Sequence, residues 1–184
     1  MRKHDLVRWW GRLCYGLLGT GLLVFFLPVL IATGTPFMWL TTHSLPWGIY
    51  RRTHETIERG RLVHFCLPEF FARYALERGY VHGGWCPGAT QELVKMVAAV
   101  AGDAVQITED SVSVNGTPIP NTPVYSTDSR GRVHHIWRPE GEFMVPDGQV
   151  FVVSNFHPRS WDSRYFGCLR LSEIGGTARE VWTW

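Results

Sequence analysis

The segment ELVKMVAAVAGDAVQI, Glu92 to Ile107, carries the strongest structural signal in the chain. It has the pattern of an apolar strand, a turn at Gly102-Asp103 and a returning strand. Side chains alternate between the two faces of a strand, and both faces of the first strand are apolar apart from Lys95. We therefore predict a strand that is buried on both sides, with one lysine inside the protein.

Further strand patterns, bounded by Gly and Pro turns, lie on both sides of this segment. Asn115-Gly116 stands between two alternating segments, which is a strong β-hairpin signal. The remaining predicted strands lie in TPFMWLTTHSLPWGIYRR, RLVHFCL, GEFMVPDGQVFVVSN, SRYFGCLRL and AREVWTW. The fold class that follows is mainly β.

One short inserted helix is predicted in PEFFARYALERGY. Pro68 suits the first helical position and Gly79 suits a C-terminal cap. The predicted apolar face consists of Phe70, Phe71, Tyr74 and Ala75. Cys66 and Cys86 bracket this helix and its loop, and we predict a disulfide between them, with two free buried thiols as the alternative.

The first 33 residues predict a membrane anchor. Residues 1–12 carry four Arg and Lys side chains against one acid, and no charged side chain occurs from Leu13 to Tyr50. The apolar run 13–33, which includes Cys14, is long enough to span a bilayer, for which about 20 residues are needed. We expect the tail 1–12 in the cytoplasm and a single domain, 34–184, outside it. A cleavable signal peptide with its processing site within 31–35 remains the alternative.

Composition restricts the class of partner. The formal net charge of +2 argues against nucleic acid as a main partner. Only 18% of residues are charged while 14% are aromatic, which indicates a membrane-associated protein or a very apolar core. Because no C-x-x-C pair occurs and His134, His135 and His157 lack metal-ligand spacing, we predict neither a metal nor a cofactor.

Lys95 is the residue that does not fit an apolar strand. Burial lowers the pKa of a lysine, and a neutral amine can act as a general base. The bland interpretation is a lysine that reaches solvent at a strand end, or a salt bridge to Glu92 or Asp103. The sequence alone leaves both interpretations open.

Ser44, in TTHSLPWGIY, is the candidate partner of Lys95. A serine near a proline often marks only a turn. A serine nucleophile with a buried lysine as its base is, however, a known variant of the catalytic triad. His43 is a poor alternative base, because adjacent side chains on a strand point to opposite faces.

Three ordered segments, SLPWGIY, KMVAAVAGD and SWDSRYFG, resemble the conserved boxes of the type I signal peptidases (serine protease family S26). The form S-L-P-x-G-x-Y and the insert CLPEFFARYALERGY…CPG resemble the conjugative-transfer, TraF-type branch. The resemblance covers most of residues 36–170. It implies a signal-peptidase-like (LexA-like) β-fold catalytic domain preceded by one transmembrane helix in the inner membrane, with the domain in the periplasm.

The resemblance also implies roles for individual residues. Ser44 is then the nucleophile, Lys95 its general base, and Thr42 a hydroxyl that helps to bind the oxyanion. Ser160 matches a serine that orients the lysine amine, and Asp162 and Arg164 match a supporting pair, which we expect to share a strand face. Cys168 departs from the family pattern, in which a proline is common at this place.

The expected function is that of a membrane-anchored serine endopeptidase which processes a membrane-bound pilin precursor in conjugation. Some members of the branch join the new carboxyl end of the pilin to its own N-terminus. Two alternatives remain: a general signal peptidase acting on secreted preproteins, and a non-catalytic, membrane-anchored β scaffold. Contact with membrane lipid is expected through residues 13–33.

Overall fold

The computed structural model describes residues 15–16, 19–27, 36–134 and 141–184. Residues 19–27 are helical, and none of the described residues belongs to a helix that is both long and apolar enough to cross a membrane. The tail 1–12, Cys14 and much of the predicted span 13–33 lie outside the described residues, as do His135 and the cleavage region 31–35. The topology therefore stays a prediction. A compact unit covers Phe37–Trp184.

The described residues form eleven strands, and every pairing between them is antiparallel. A seven-stranded sheet has the order β1-β2-β11-β3-β4-β9-β10, and a four-stranded sheet has the order β7-β6-β5-β8. The strands are β1 Phe37–Leu40, β2 Gly48–Thr53, β3 Leu62–Phe65, β4 Leu93–Val100, β5 Ala104–Ile107, β6 Val112–Val114, β7 Thr117–Ile119, β8 Glu142–Met144, β9 Gln149–Val153, β10 Leu169–Arg170 and β11 Ile174–Thr183. The mainly β prediction is confirmed.

Strand β4 lies inside the larger sheet, between β3 and β9. Lys95 pairs with Val63 on β3, and Met96 pairs with Val153 on β9. Six of the eight residues of β4 are buried. The prediction of a strand covered on both faces, with a lysine inside, is confirmed.

Two hairpins join neighbouring strands, and the second of them confirms the Asn115-Gly116 signal. β1 and β2 pair with each other, so residues 41–47, which include Ser44, form the turn between them. Asn115 and Gly116 join β6 to β7 with φ values of 50° and 76°. Positive φ at both central positions is what a type I′ turn requires.

The inserted helix is Glu69–Arg78, hereafter the insert helix. Gly79 caps it in the left-handed conformation, as predicted, whereas Pro68 takes the N-cap position instead of the first helical one. The predicted apolar face is partly wrong. Ala72 and Ala75 are the buried residues, and Phe70 is 66% exposed because it lies toward the opposite side of the helix.

The predicted disulfide between Cys66 and Cys86 is present, with 5.5 Å between the two Cα atoms, and the free-thiol alternative is wrong. The cross-link closes the segment that carries the insert helix. Rings of this segment contact Trp161, with centroid distances of 6.3 Å from Phe71, 6.3 Å from Tyr74 and 6.0 Å from Tyr80. The insert is therefore packed against the segment that contains Ser160.

The segment predicted as a strand at SRYFGCLRL is only partly a strand. Ser163–Phe166 is a short helix, hereafter the SRYF helix, and only Leu169–Arg170 is extended, before a 3-10 turn at Leu171–Glu173. The side chain of Asp162 accepts a hydrogen bond from the Arg164 backbone N–H and so caps the SRYF helix. This local cap outweighs the β propensity of the aromatic residues. The expectation of one short helix is incomplete for the same reason.

Candidate active site

Ser44 lies in the turn between β1 and β2, and that turn is fixed at several points. The backbone carbonyl of Ser44 accepts a hydrogen bond from the Ser154 hydroxyl. The next residue, Leu45, is buried in an apolar cluster that contains Tyr50 and Val94. The Tyr50 hydroxyl donates to the Pro46 carbonyl at 2.9 Å. The turn is thus tied to its own hairpin, to β4, and to the end of β9.

Lys95 is buried, and its amine donates a hydrogen bond to the Ser160 hydroxyl at 2.7 Å. The bland interpretations do not hold. Glu92 pairs instead with Arg52 and with His64. Asp103 accepts hydrogen bonds from the Val100 backbone and from Asn115, and pairs with Arg59. Lys95 is therefore an interior lysine whose hydrogen-bond partner is a neutral hydroxyl.

The environment of Lys95 favours the neutral amine. Burial, assisted by the positive charge of Arg164, lowers its pKa from 10.5 to about 8, although the Asp162 carboxylate opposes this effect. A sizeable fraction of the amine is then neutral at mildly alkaline pH. An amine in that state has a free lone pair and can accept a proton from a serine hydroxyl.

Asp162 and Arg164 form an ion pair with no exposed side-chain surface on either partner. Two nitrogens of the guanidinium each lie 2.8 Å from a different carboxylate oxygen. Arg164 also donates to the backbone carbonyls of Pro123, Pro158 and Ser160. Burial opposes its charge, but Asp162 raises the pKa of Arg164 above its ordinary value. The predicted pairing is present, between the N-cap residue and the second residue of the SRYF helix and not on a strand face.

Ser154 connects these groups, and no sequence motif points to it. Its backbone N–H donates to Asp162 Oδ2 at 3.0 Å, while its hydroxyl donates to the Ser44 carbonyl. It lies six residues before the SWDSRYFG segment and 110 residues from Ser44 in the chain. Only the tertiary structure reveals that its side chain reaches the turn of Ser44.

Thr42 and His43 lie in the same turn as Ser44. Thr42 is half-buried, two residues before Ser44. The His43 ring faces Trp47 and His157, with centroid distances of 5.6 Å and 6.1 Å. Burial lowers the pKa of His157, and its electrostatic interactions with His43 and Lys95 lower it further. Within the described part of the chain, no three His, Cys, Asp or Glu side chains are grouped as metal ligands would be.

Large parts of this chain are similar to known proteins. The family model "Signal peptidase, peptidase S26" matches residues 16–184. The plasmid transfer protein TraF of Escherichia coli is 36% identical over 145 residues, which are 78% of this chain and 81% of that protein. A signal peptidase I of Bacillus caldolyticus is 30% identical over 92 residues, 47% of this chain and 50% of that protein.

A solved signal peptidase I from Enterococcus faecalis is also similar, at 21% identity and a TM-score of 0.38, covering 68% of this chain and 98% of that one. The family model and the TraF relative each span most of the sequence. The chain belongs to the signal peptidase family, peptidase S26.

Proposed function

We propose that this chain is a serine endopeptidase in which Ser44 is the nucleophile and Lys95 the general base. The proposal rests on the environment of Lys95. This lysine is buried, its amine donates a hydrogen bond to Ser160, and its pKa is lowered to about 8. A lysine with a purely structural role would not stabilise the fold at this position, because burying an ammonium without a carboxylate partner costs free energy. Membership of a peptidase family supports the same role.

In the proposed reaction, Ser44 and Lys95 act as a pair. The Ser44 hydroxyl attacks the peptide carbonyl and passes its proton to the Lys95 amine. The Ser44 N–H and the Thr42 hydroxyl stabilise the oxyanion of the tetrahedral intermediate. The intermediate collapses with transfer of the proton from Lys95 to the leaving amine, which gives an ester between the substrate and Ser44. Ser160 orients the Lys95 amine, and the Asp162–Arg164 pair holds the turn on which Ser160 lies.

The proposed setting is the inner membrane, with residues 13–33 as the anchor and the peptidase domain in the periplasm. A membrane-bound substrate is then favoured through its high effective concentration. The proposed substrate is a pilin-type precursor of conjugative transfer, since the TraF relative matches 78% of this chain and the signal peptidase I relative 47%.

Two nucleophiles can attack the acyl-enzyme. Water gives a linear product, whereas the pilin's own N-terminal amine gives a cyclic one by intramolecular attack, for which proximity is a strong advantage. Lys95 can accept the proton of either nucleophile. The intact mass of the mature pilin separates the two, because the cyclic product is one water lighter than the linear one.

The test of the function uses the full chain in detergent with a pilin-type precursor and a secreted preprotein as substrates. Ser44→Ala is expected to abolish cleavage, whereas Thr41→Ala, an exposed hydroxyl in the same turn, should retain it. Cleavage by Ser44→Ala would overturn the proposed nucleophile. A wild-type chain that cleaves neither substrate would favour the scaffold, and equal cleavage of both would favour a general signal peptidase.

A further inference from the structure

Ser154 holds a position that the reaction described above does not use. It is fully buried and follows directly on Val153, the last residue of β9. We propose that Ser154 is a positioning residue, whose hydroxyl holds the backbone of the nucleophile in place relative to the base. This inference rests on the proposed function, because it assigns Ser154 a part in the same site.

The sheet register places Ser154 beside the base. Met96 on β4 pairs with Val153 on β9, and the two strands are antiparallel. In an antiparallel pair, the residue after Val153 on one strand lies opposite the residue before Met96 on the other. Ser154 is therefore level with Lys95. Its hydroxyl donates to the Ser44 carbonyl, and its N–H donates to Asp162. The segments that carry nucleophile, base and ion pair therefore meet at one residue.

The hydroxyl of Ser154 is fully engaged. A serine hydroxyl has one donor and two acceptor positions. The donor goes to the Ser44 carbonyl, and the oxygen accepts the backbone N–H groups of Phe156 at 3.3 Å and His157 at 3.4 Å. With every position occupied, this oxygen has a fixed direction, which is suited to holding a backbone and not to attacking a substrate.

The bonded carbonyl belongs to the peptide unit between Ser44 and Leu45. Leu45 is anchored in the apolar cluster with Tyr50 and Val94, so Ser154 fixes the Ser44 end of the same peptide unit. Without the Ser154 hydroxyl this unit can rotate, and the Ser44 hydroxyl moves with it. A misplacement of about 1 Å in a reacting group costs about a hundredfold in rate.

A positioning role predicts a specific kinetic signature. Ser154→Ala should lower kcat by about a hundredfold, by the same proximity argument, and change KM little. The pH at which activity is half-maximal should stay the same, because Ser160, Asp162 and Arg164 still surround Lys95. A loss of stability alone would not produce this separation of kcat from KM at temperatures where the variant is folded.

Ser163→Ala is the matched control. Ser163 is also fully buried, and its hydroxyl accepts the Val152 N–H of the same strand β9 at 2.9 Å. Its side chain bonds to β9 and not to the Ser44 turn. We expect Ser163→Ala to lower the unfolding temperature about as much as Ser154→Ala while kcat stays within a few-fold of wild type.

The experiment measures kcat, KM, the pH profile and the unfolding temperature of the full chain in detergent with a peptide spanning a cleavage site. Ser154→Cys, nearly isosteric but a weaker donor, should lose at least tenfold in kcat and serves if the alanine variant does not fold. Near-normal kcat in a folded Ser154 variant, or an equal loss in Ser163→Ala, would overturn the positioning role. Wild type and Ser44→Ala run in parallel, because an active Ser44→Ala would overturn the proposed function and this inference with it.

Discussion

Strand β4 and the SRYF helix each place one basic side chain in the interior, but with opposite effects on its pKa. Arg164 in the SRYF helix binds Asp162 through two side-chain hydrogen bonds and donates to three backbone carbonyls, and its pKa is raised. Lys95 on β4 donates to the hydroxyl of Ser160, and its pKa is lowered to about 8. Both side chains are buried to a similar degree, so the difference in pKa comes from their hydrogen-bond partners, a carboxylate for Arg164 and a hydroxyl for Lys95.

The comparison shows how one protein separates a structural cation from a reactive one. A guanidinium stays protonated and binds a carboxylate in a two-pronged geometry, so it suits a permanent buried pair. An ammonium beside a neutral hydroxyl can lose its proton. Lys95 is also the only lysine between residues 34 and 184, where every other basic side chain apart from histidine is an arginine. A lysine at position 95 and an arginine at position 164 fit the proposed roles of general base and structural cation.

The largest effect on activity is expected for Lys95→Arg, which replaces the titratable amine with a permanently charged guanidinium. Lys95→Arg should lower kcat/KM by about 10⁴-fold, the upper range for removal of a general base, because a guanidinium cannot accept a proton. Steady-state cleavage at pH 8 measures this. Arg179→Lys, an exchange at an exposed surface position, is the control and should stay near wild type. Near-normal activity of Lys95→Arg would refute the Ser/Lys mechanism.

The next effect is on stability and concerns the structural cation. Arg164→Met leaves the carboxylate of Asp162 buried without its partner, and we expect a loss of about 3–5 kcal/mol in the free energy of unfolding. Urea unfolding measures it. The double variant Asp162→Asn/Arg164→Met should lose less than Arg164→Met, since no unpaired charge then remains. A loss below about 1 kcal/mol in the single variant would show that the pair contributes as little as an exposed one.

The two regions also differ in how far the sequence predicted them. Strand β4 and the burial of Lys95 follow from a local apolar pattern. The pairing of Asp162 with Arg164 was predicted, but on a strand. The aromatic residues of this segment favour a strand, whereas the hydrogen bond from the Arg164 N–H to the Asp162 side chain starts a short helix. Ser154 could not be predicted, because its partner Ser44 is 110 residues away in the chain.

The insert offers a way to perturb the turn segment without changing its charges. The rings of the insert contact Trp161, the residue between Ser160 and Asp162. Cys66→Ser/Cys86→Ser should lower the free energy of unfolding by about 3 kcal/mol, since the cross-linked cysteines are 20 residues apart. Urea unfolding measures the loss, and the pH profile of cleavage should not move. Cys168→Ser, at a cysteine that is free in the described part of the chain, is the control and should leave sensitivity to reductant intact. Equal stability of wild type with and without reductant would contradict the expectation.

The smallest effect is a gain in stability when the reactive cation is removed. Lys95→Met should abolish cleavage but stabilise the fold at pH 7. Holding the pKa of Lys95 at about 8 instead of 10.5 destabilises the protonated folded state by roughly 3 kcal/mol. Loss of the hydrogen bond to Ser160 offsets about 1–2 kcal/mol of this. We therefore expect a net gain of about 1–2 kcal/mol, measured by urea unfolding at pH 7.

The pH dependence distinguishes this gain from better packing. The pKa of Lys95 is lower in the folded chain than in the unfolded one, so between about pH 8 and 10.5 the unfolded chain binds more protons. Stability of the wild type should rise with pH through this window relative to Lys95→Met, which has no amine to titrate. The advantage of Lys95→Met is thus greatest below pH 8 and disappears near pH 10. A difference that stays constant from pH 7 to 10 would mean that Lys95 is charged in the fold, and would remove the neutral base on which the proposed mechanism depends.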